Sequence, residues 1–176
     1  MRPAIQFIKD KFKDTPLIGV EVGVKNGSHA QNILDNLIVK HLYLIDSWVP
    51  YIEEGKIIYN PPVYYDHVVK KFGDNPHIEI IRTSSCKAAK GIPDKHLDFV
   101  YIDGCHQYEY VYSDIAAWFP KLKVGGVLSG HDYGIKWGSV NEAVNDYFSS
   151  LPHEIHSSPE SDWWVVKKCK ETQQTS

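Results

Sequence analysis

Leu17-Ile18-Gly19-Val20-Glu21-Val22-Gly23-Val24-Lys25-Asn26-Gly27 is the stretch on which the fold turns. From Leu17 to Val22 it is short, mostly apolar and closed by glycine, which reads as a strand buried on both faces. Gly23 and Gly27 then permit a tight turn and close approach of backbone to a ligand, just before the N-terminus of a helix. That helix is predicted from Ala30, Ile33, Leu34 and Leu37, spaced i, i+3, i+4 and i+7, with Ser28 as its N-cap.

Outward from this unit the hydrophobic period keeps switching between helix and strand, the sign of βα steps. On the amino-terminal side, Ile5, Ile8 and Phe12 share one face of an opening helix. On the other side a strand is predicted over His41 to Ile45, and a helix from Tyr65, Val68, Val69 and Phe72. A strand over Ile78 to Ile81 follows, and Ser84 or Ser85 is placed to cap a short helix after it. Leu97 to Ile102 reads as the clearest strand. Val111, Ile115, Trp118 and Phe119 mark a further helix, closed by Pro120 and a turn at Gly125-Gly126, with a strand from Val127 to Gly130 beyond. Val140, Val144, Tyr147 and Phe148 give a last helix. The segments His153 to His156 and Trp163 to Val166 are close enough to pair antiparallel. The expected class is α/β: a Rossmann-like three-layer sandwich around a seven-stranded, mostly parallel sheet with an antiparallel C-terminal strand.

The 176 residues match one domain, expected over 1–176 with a core of about 17–168. Hydrophobic residues at 43% and charged residues at 23% are globular composition. The apolar runs are too short to cross a bilayer. Lys9, Asp10, Lys11, Lys13 and Asp14 interrupt the amino terminus where a secretory signal needs an unbroken apolar run, so a cytoplasmic location is expected. Cys86, Cys105 and Cys169 form no C-x-x-C pair, which argues against a disulfide framework or a zinc knuckle and leaves packing thiols. A net charge of −3 and a pI near 6.3 offer no positive excess for a nucleic-acid backbone. Lys167, Lys168 and Lys170 read as a solvated tail.

Parallel sheets bind ligands beyond the carboxyl ends of their strands, where the strand order reverses. Asp46 ends the second strand about 20 residues past the glycine turn, the place where a carboxylate takes the hydroxyls of a ribose. The dinucleotide pattern G-x-G-x-x-G is absent. Two later stretches, Asp98-Phe99-Val100-Tyr101-Ile102-Asp103-Gly104-Cys105-His106 and Gly125-Gly126-Val127-Leu128-Ser129-Gly130-His131-Asp132-Tyr133, deliver acids and imidazoles to the same edge.

With these motifs the chain resembles, from about Leu17 to Lys167, the class I S-adenosylmethionine-dependent methyltransferases. The similarity is to the small "methyltransferase domain 24" branch that includes macrocin-type sugar and antibiotic O-methyltransferases. The resemblance implies S-adenosyl-L-methionine held by Glu21, Gly23 and Gly27 at its methionine part and by Asp46 at its ribose, with Asp103 also among the cofactor-binding residues. It places the adenine near Ser84 and Ser85. It also implies a divalent cation, magnesium or manganese, on Asp103, His131 and Asp132. His131 departs from the acidic pair of relatives, and an imidazole suits softer first-row ions. His106, three residues after Asp103, corresponds to the general base of some metal-dependent sugar methyltransferases, so His106 and Asp103 are the catalytic candidates.

The implied reaction is O-methylation of a small hydroxylated acceptor, a sugar or natural-product-like molecule, with no nucleic-acid or membrane partner and with homodimers as in small relatives. The segment Ser47 to Tyr65, with Trp48, Tyr51, Tyr59, Tyr64, Tyr65 and Pro61-Pro62, reads as a lid or as packing. The alternatives are a non-catalytic S-adenosylmethionine-binding protein, a hydroxylase-like relative and a nicotinamide-dependent oxidoreductase. The last lacks both its pyrophosphate turn and a Tyr-x-x-x-Lys pair.

Overall fold

The computed structural model describes residues 1–53, 55–58, 62–134 and 138–169. The elements run α1 (Pro3–Phe12), β1 (Leu17–Val22), α2 (Ser28–Asn36), β2 (Val39–Asp46), β3 (Tyr51–Glu53), β4 (Lys56–Ile58), α3 (Pro62–Phe72) and β5 (Ile78–Arg82). They continue with α4 (Ser85–Ala89), β6 (Leu97–Ile102), α5 (Tyr108–Trp118), β7 (Leu122–Gly130), α6 (Gly138–Phe148), β8 (His156–Ser157) and β9 (Trp163–Val166). A 3-10 turn, Phe119–Lys121, joins α5 to β7.

Seven strands form one sheet in the order β5-β2-β1-β6-β7-β9-β8. Pairing is parallel from β5 through β7 and antiparallel where β9 meets β7 and β8. The chain builds outward from β1 to β5, then returns to lay β6 beside β1, so the order reverses between those two strands. Apolar residues pack on both faces of this sheet, which is why β1 and β6 read as continuous buried runs. One face buries Ile115 and Trp118 of α5 with Val140 and Val144 of α6. The other buries Ile5 and Ile8 of α1 with Ala30 and Ile33 of α2. Gly19 sits in mid-strand because a Cβ there would lie 2.1 Å from Cζ of Phe99 on the adjacent β6.

Three local expectations change. Ser28 is the first helical residue of α2, and the N-cap is Gly27 at φ 78°. Asn26 supplies the capping acceptor, its Oδ1 taking the Ser28 N–H at 3.2 Å. Gly125-Gly126 does not end β7's approach as a turn but lies inside the strand, where Leu122 pairs with Leu97 and Val127 with Phe99, so that extra residues bulge between the two pairs. Within the expected lid, Tyr51–Glu53 and Lys56–Ile58 form a two-stranded hairpin, and Trp48 is buried against Tyr65 rather than facing solvent. Tyr59 and Pro61, and likewise Lys170, lie outside the described residues.

Candidate active site

Backbone hydrogen bonds continue the parallel ladder one residue past each strand. Gly23 donates to Ile45 O (2.9 Å), Asp103 to Val22 O (2.8 Å), Thr83 to Asp46 O (3.0 Å) and His131 to Ile102 O (3.1 Å). The post-strand residues of β1, β5, β6 and β7 are thereby lined up with Asp46, the last residue of β2, on a single edge, although they are distant in sequence. A cleft of about 1040 Å³ opens at this edge, at the point where the strand order reverses. Gly23, Asp46, Ser84, Ser85 and Asp103 all line it.

Gly23 has φ 88°, and a Cβ there would lie 2.1 Å from the Asp103 carbonyl oxygen. The turn after β1 therefore runs flush against the end of β6, and only glycine fits. Asp46 accepts the Lys25 N–H on Oδ2 (2.9 Å) and the Trp48 N–H on Oδ1 (2.7 Å), which holds its carboxylate at the cleft wall. The Trp48 indole donates to Lys25 O (2.8 Å), tying the segment after β2 to the glycine turn.

Two expected cofactor residues sit behind the cleft. Glu21 is fully buried and its Oε1 meets His29 Nδ1 at 3.1 Å, while Oε2 is buried without a hydrogen-bond partner among the described residues. Burial, with the Asp103 charge adding to it, pushes the Glu21 carboxyl well above the usual range. Burial and the Arg2 charge push His29 down to about 4, so the Glu21 carboxyl faces a neutral imidazole at neutral pH. Gly27 caps α2 and leaves room for the Phe72 ring, which a Cβ would approach to 2.7 Å. Ser85 lines the cleft, yet its hydroxyl accepts the Trp118 indole N–H at 2.7 Å.

At the other end of the edge, one ligand atom each from Asp103, His131 and Asp132 lie within 4.8 Å of one another. Asp132 Oδ2 meets His106 Nε2 at 2.8 Å and His131 Nδ1 at 3.2 Å. Burial works against the charge of Asp132, but the hydrogen bonds from the two imidazoles outweigh it and hold the carboxyl far below the usual range. The bond to Asp132 in turn raises His131.

Sequence reasoning missed the groups that surround this cluster. Arg2 ion-pairs with Asp103 (3.5 Å) and Asp162 (3.6 Å) and donates to Tyr101 Oη (2.8 Å). Tyr101 donates to Asp162 Oδ1 at 2.8 Å. Asp114, a buried acid on α5 that lines the cleft, was also passed over. Its signal was present: it falls at i+3 in the stripe Val111, Ile115, Trp118, where an apolar residue is expected.

A search of curated proteins finds no match to the chain. A sequence model of a family described as "Methyltransferase domain" matches residues 20–133. Among solved structures, the O-methyltransferase NovP superposes with a TM-score of 0.67 at 17% identity, over 94% of this chain and 79% of that one. An rRNA methylase from Streptococcus thermophilus gives 0.66 at 15% identity, over 96% and 98%. A Streptococcus mutans protein described as a methyltransferase and solved with SAH gives 0.65 at 14% identity, over 95% and 99%. At these identities the superpositions establish the fold, while the family match spans well over half of the chain and takes in the glycine turn, Asp46, Asp103 and Asp132. By fold and by sequence, then, the chain belongs to the methyltransferase domain family, the class I S-adenosylmethionine-dependent methyltransferases.

Proposed function

We propose that the chain methylates an oxygen of a small hydroxylated acceptor, sugar-like or natural-product-like, with S-adenosylmethionine as donor and a divalent cation assisting. One observation carries this reading: Asp103 belongs both to the cleft that holds Gly23 and Asp46 and to the cluster with His131 and Asp132. A nucleoside gripped at Asp46 would thus have its reactive end beside a metal-ligating set.

The residues present suit both groups. Asp46 keeps its carboxylate on the cleft wall, Gly23 brings backbone within reach of a ligand, and the unpartnered buried Oε2 of Glu21 is an acceptor behind the methionine end. The oxygen, nitrogen and oxygen donors of Asp103, His131 and Asp132 match a first-row divalent ion. S-adenosylmethionine supplies an electrophilic methyl group, and a divalent ion a Lewis acid that acidifies the acceptor hydroxyl.

The rest falls to the protein. Because Asp132 is held ionised, its bond to His106 fixes a proton on Nε2 and leaves the lone pair on Nδ1. His106, oriented by Asp132, is the residue assigned to take the hydroxyl proton of a bound acceptor. Asp132 then stabilises the imidazolium. The net charge of −3, which carries no overall positive excess for a nucleic-acid backbone, supports a small acceptor over RNA.

His106→Ala is expected to lower kcat by roughly 10²- to 10⁴-fold and leave S-adenosylhomocysteine affinity within about threefold. Methyl release from a panel of hydroxylated acceptors, paired with titration calorimetry, measures both. Unchanged turnover removes His106 from the mechanism, and failure of the wild-type chain to bind S-adenosylhomocysteine overturns the reading as a whole.

A further inference from the structure

We propose that Arg2 is a tethered competitor of the divalent cation for Asp103, and so sets how tightly the metal end of the edge holds its ion. The inference rests on the cation reading above and adds to it a residue from outside the three ligand donors. Arg2 is placed for this by the sequence that follows it. Pro3 opens α1 and restricts the residue before it to extended backbone, and Arg2 has φ −71° and ψ 146°. Ile5 and Ile8 then bury α1 against the sheet, and the buried Asp162 accepts the Ala4 N–H at 3.0 Å. The guanidinium thus leaves a fixed point of the backbone and reaches the end of β6.

Its two arms differ. Nη1 donates to Tyr101 Oη at 2.8 Å and lies 3.6 Å from Oδ1 of Asp162, whose side chain is fully buried. Nη2 lies 3.5 Å from Asp103 Oδ2, too far for a strong hydrogen bond, and both of these side chains are partly exposed. The inner arm is an anchor, and the outer arm is a contact that an incoming ion can break.

Among the described residues no lysine and no other arginine comes within ion-pair distance of Asp103, Asp132 or Asp162. Arg2 is therefore the fixed positive charge of this acidic end. A divalent ion that takes the Asp103 carboxylate meets a like charge on the same group. The ion prevails because it carries two charges and gains His131 and Asp132 as further ligands, but the Arg2 charge lowers its affinity. A residue that only oriented Asp103 would raise that affinity, so the two roles differ in sign.

The test is manganese binding to the full chain, followed through the electron paramagnetic resonance of the free ion. Arg2→Met removes the charge from a side chain of comparable reach and is expected to bind manganese about tenfold or more tightly than the wild type. Arg2→Lys keeps a charge and is expected to stay within about threefold of the wild type. Adding Asp132→Asn to Arg2→Met is expected to abolish the gain. Binding by Arg2→Met that is unchanged or weaker, or a gain that survives Asp132→Asn, overturns the proposal while wild-type binding keeps the cation reading standing. If neither the wild type nor Arg2→Met binds manganese, the cation reading falls and the proposal with it.

A second arm needs no variant. The sequence has two arginines, Arg2 and Arg82, so a chain carrying isotopically labelled arginine contains its own reference signal for magnetic resonance. By reciprocity the cation must weaken the Arg2 contact as much as Arg2 weakens the cation. Zinc, a diamagnetic first-row ion, is expected to speed exchange of the Arg2 guanidinium hydrogens with water several-fold and to leave those of Arg82 unchanged. Arg2 exchange that stays the same or slows at saturating zinc overturns the proposal whether or not Arg2→Met folds.

Discussion

Asp114 is the residue at which burial and charge pull in opposite directions. Burial pushes its carboxyl from an ordinary 3.8 to about 6 against the hydrogen bonds of Ser85 and Cys86. Because the folded value lies above the unfolded one, its contribution to stability is fully present below about pH 4 and is lost as pH rises through about 6. By pH 7 the loss is about 3 kcal/mol. Asp114→Asn has nothing to titrate, so its stability relative to the wild type is expected to rise by about that amount between pH 4 and pH 7. Urea unfolding at the two pH values measures it, and a difference that stays flat removes the burial argument. The sequence carried this residue openly, as an acid in an apolar helical stripe. The Glu21–His29 contact and the Arg2–Tyr101–Asp162 contacts were not legible, because no periodicity joins partners 61 to 99 positions apart, and the eight positions from Glu21 to His29 span a turn.

At the scale of elements, legibility followed burial. β1 and β6 are buried on both faces and bounded by Gly23 and Asp103, so their limits could be read to the residue. β7 could not, since two glycines that signal a turn serve here as a bulge between Leu122 and Val127. The docking of α1 was equally hidden. Its N-cap, Arg2, makes no side-chain capping bond. The Ala4 N–H is instead accepted at 3.0 Å by Asp162, 158 residues away and fully buried just before β9. Asp162 thus caps the first helix from the far end of the chain while also accepting from Tyr101. Asp162→Ala leaves both donors buried without a partner and is expected to cost about 3–5 kcal/mol. Amide exchange should show α1 losing more protection than β1 or β6. A loss under about 1 kcal/mol, or one spread evenly over the strands, would contradict this role.

For the molecule as a whole, the strand order makes the function a matter of spacing along one edge. Asp46 ends β2 and Asp132 follows β7, with β1 and β6 between them, and Asp103, just after β6, lies between the two ends. The cofactor and cation sites should therefore be separable at their outer residues and inseparable at the middle one. Any ligand that binds only the folded chain stabilises it by mass action, about 2.7 kcal/mol at a hundredfold excess over Kd. For a domain of this size that is a rise in Tm of roughly 5–10 °C. S-adenosylhomocysteine and manganese are each expected to raise the Tm of the wild type. Asp46→Ala should lose the first shift and keep the second, Asp132→Asn should do the reverse, and Asp103→Asn should lose much of both. If instead Asp46→Ala and Asp132→Asn lose the same shift, the two ligands share one site, and the division of this edge into a nucleoside end and a metal end is wrong.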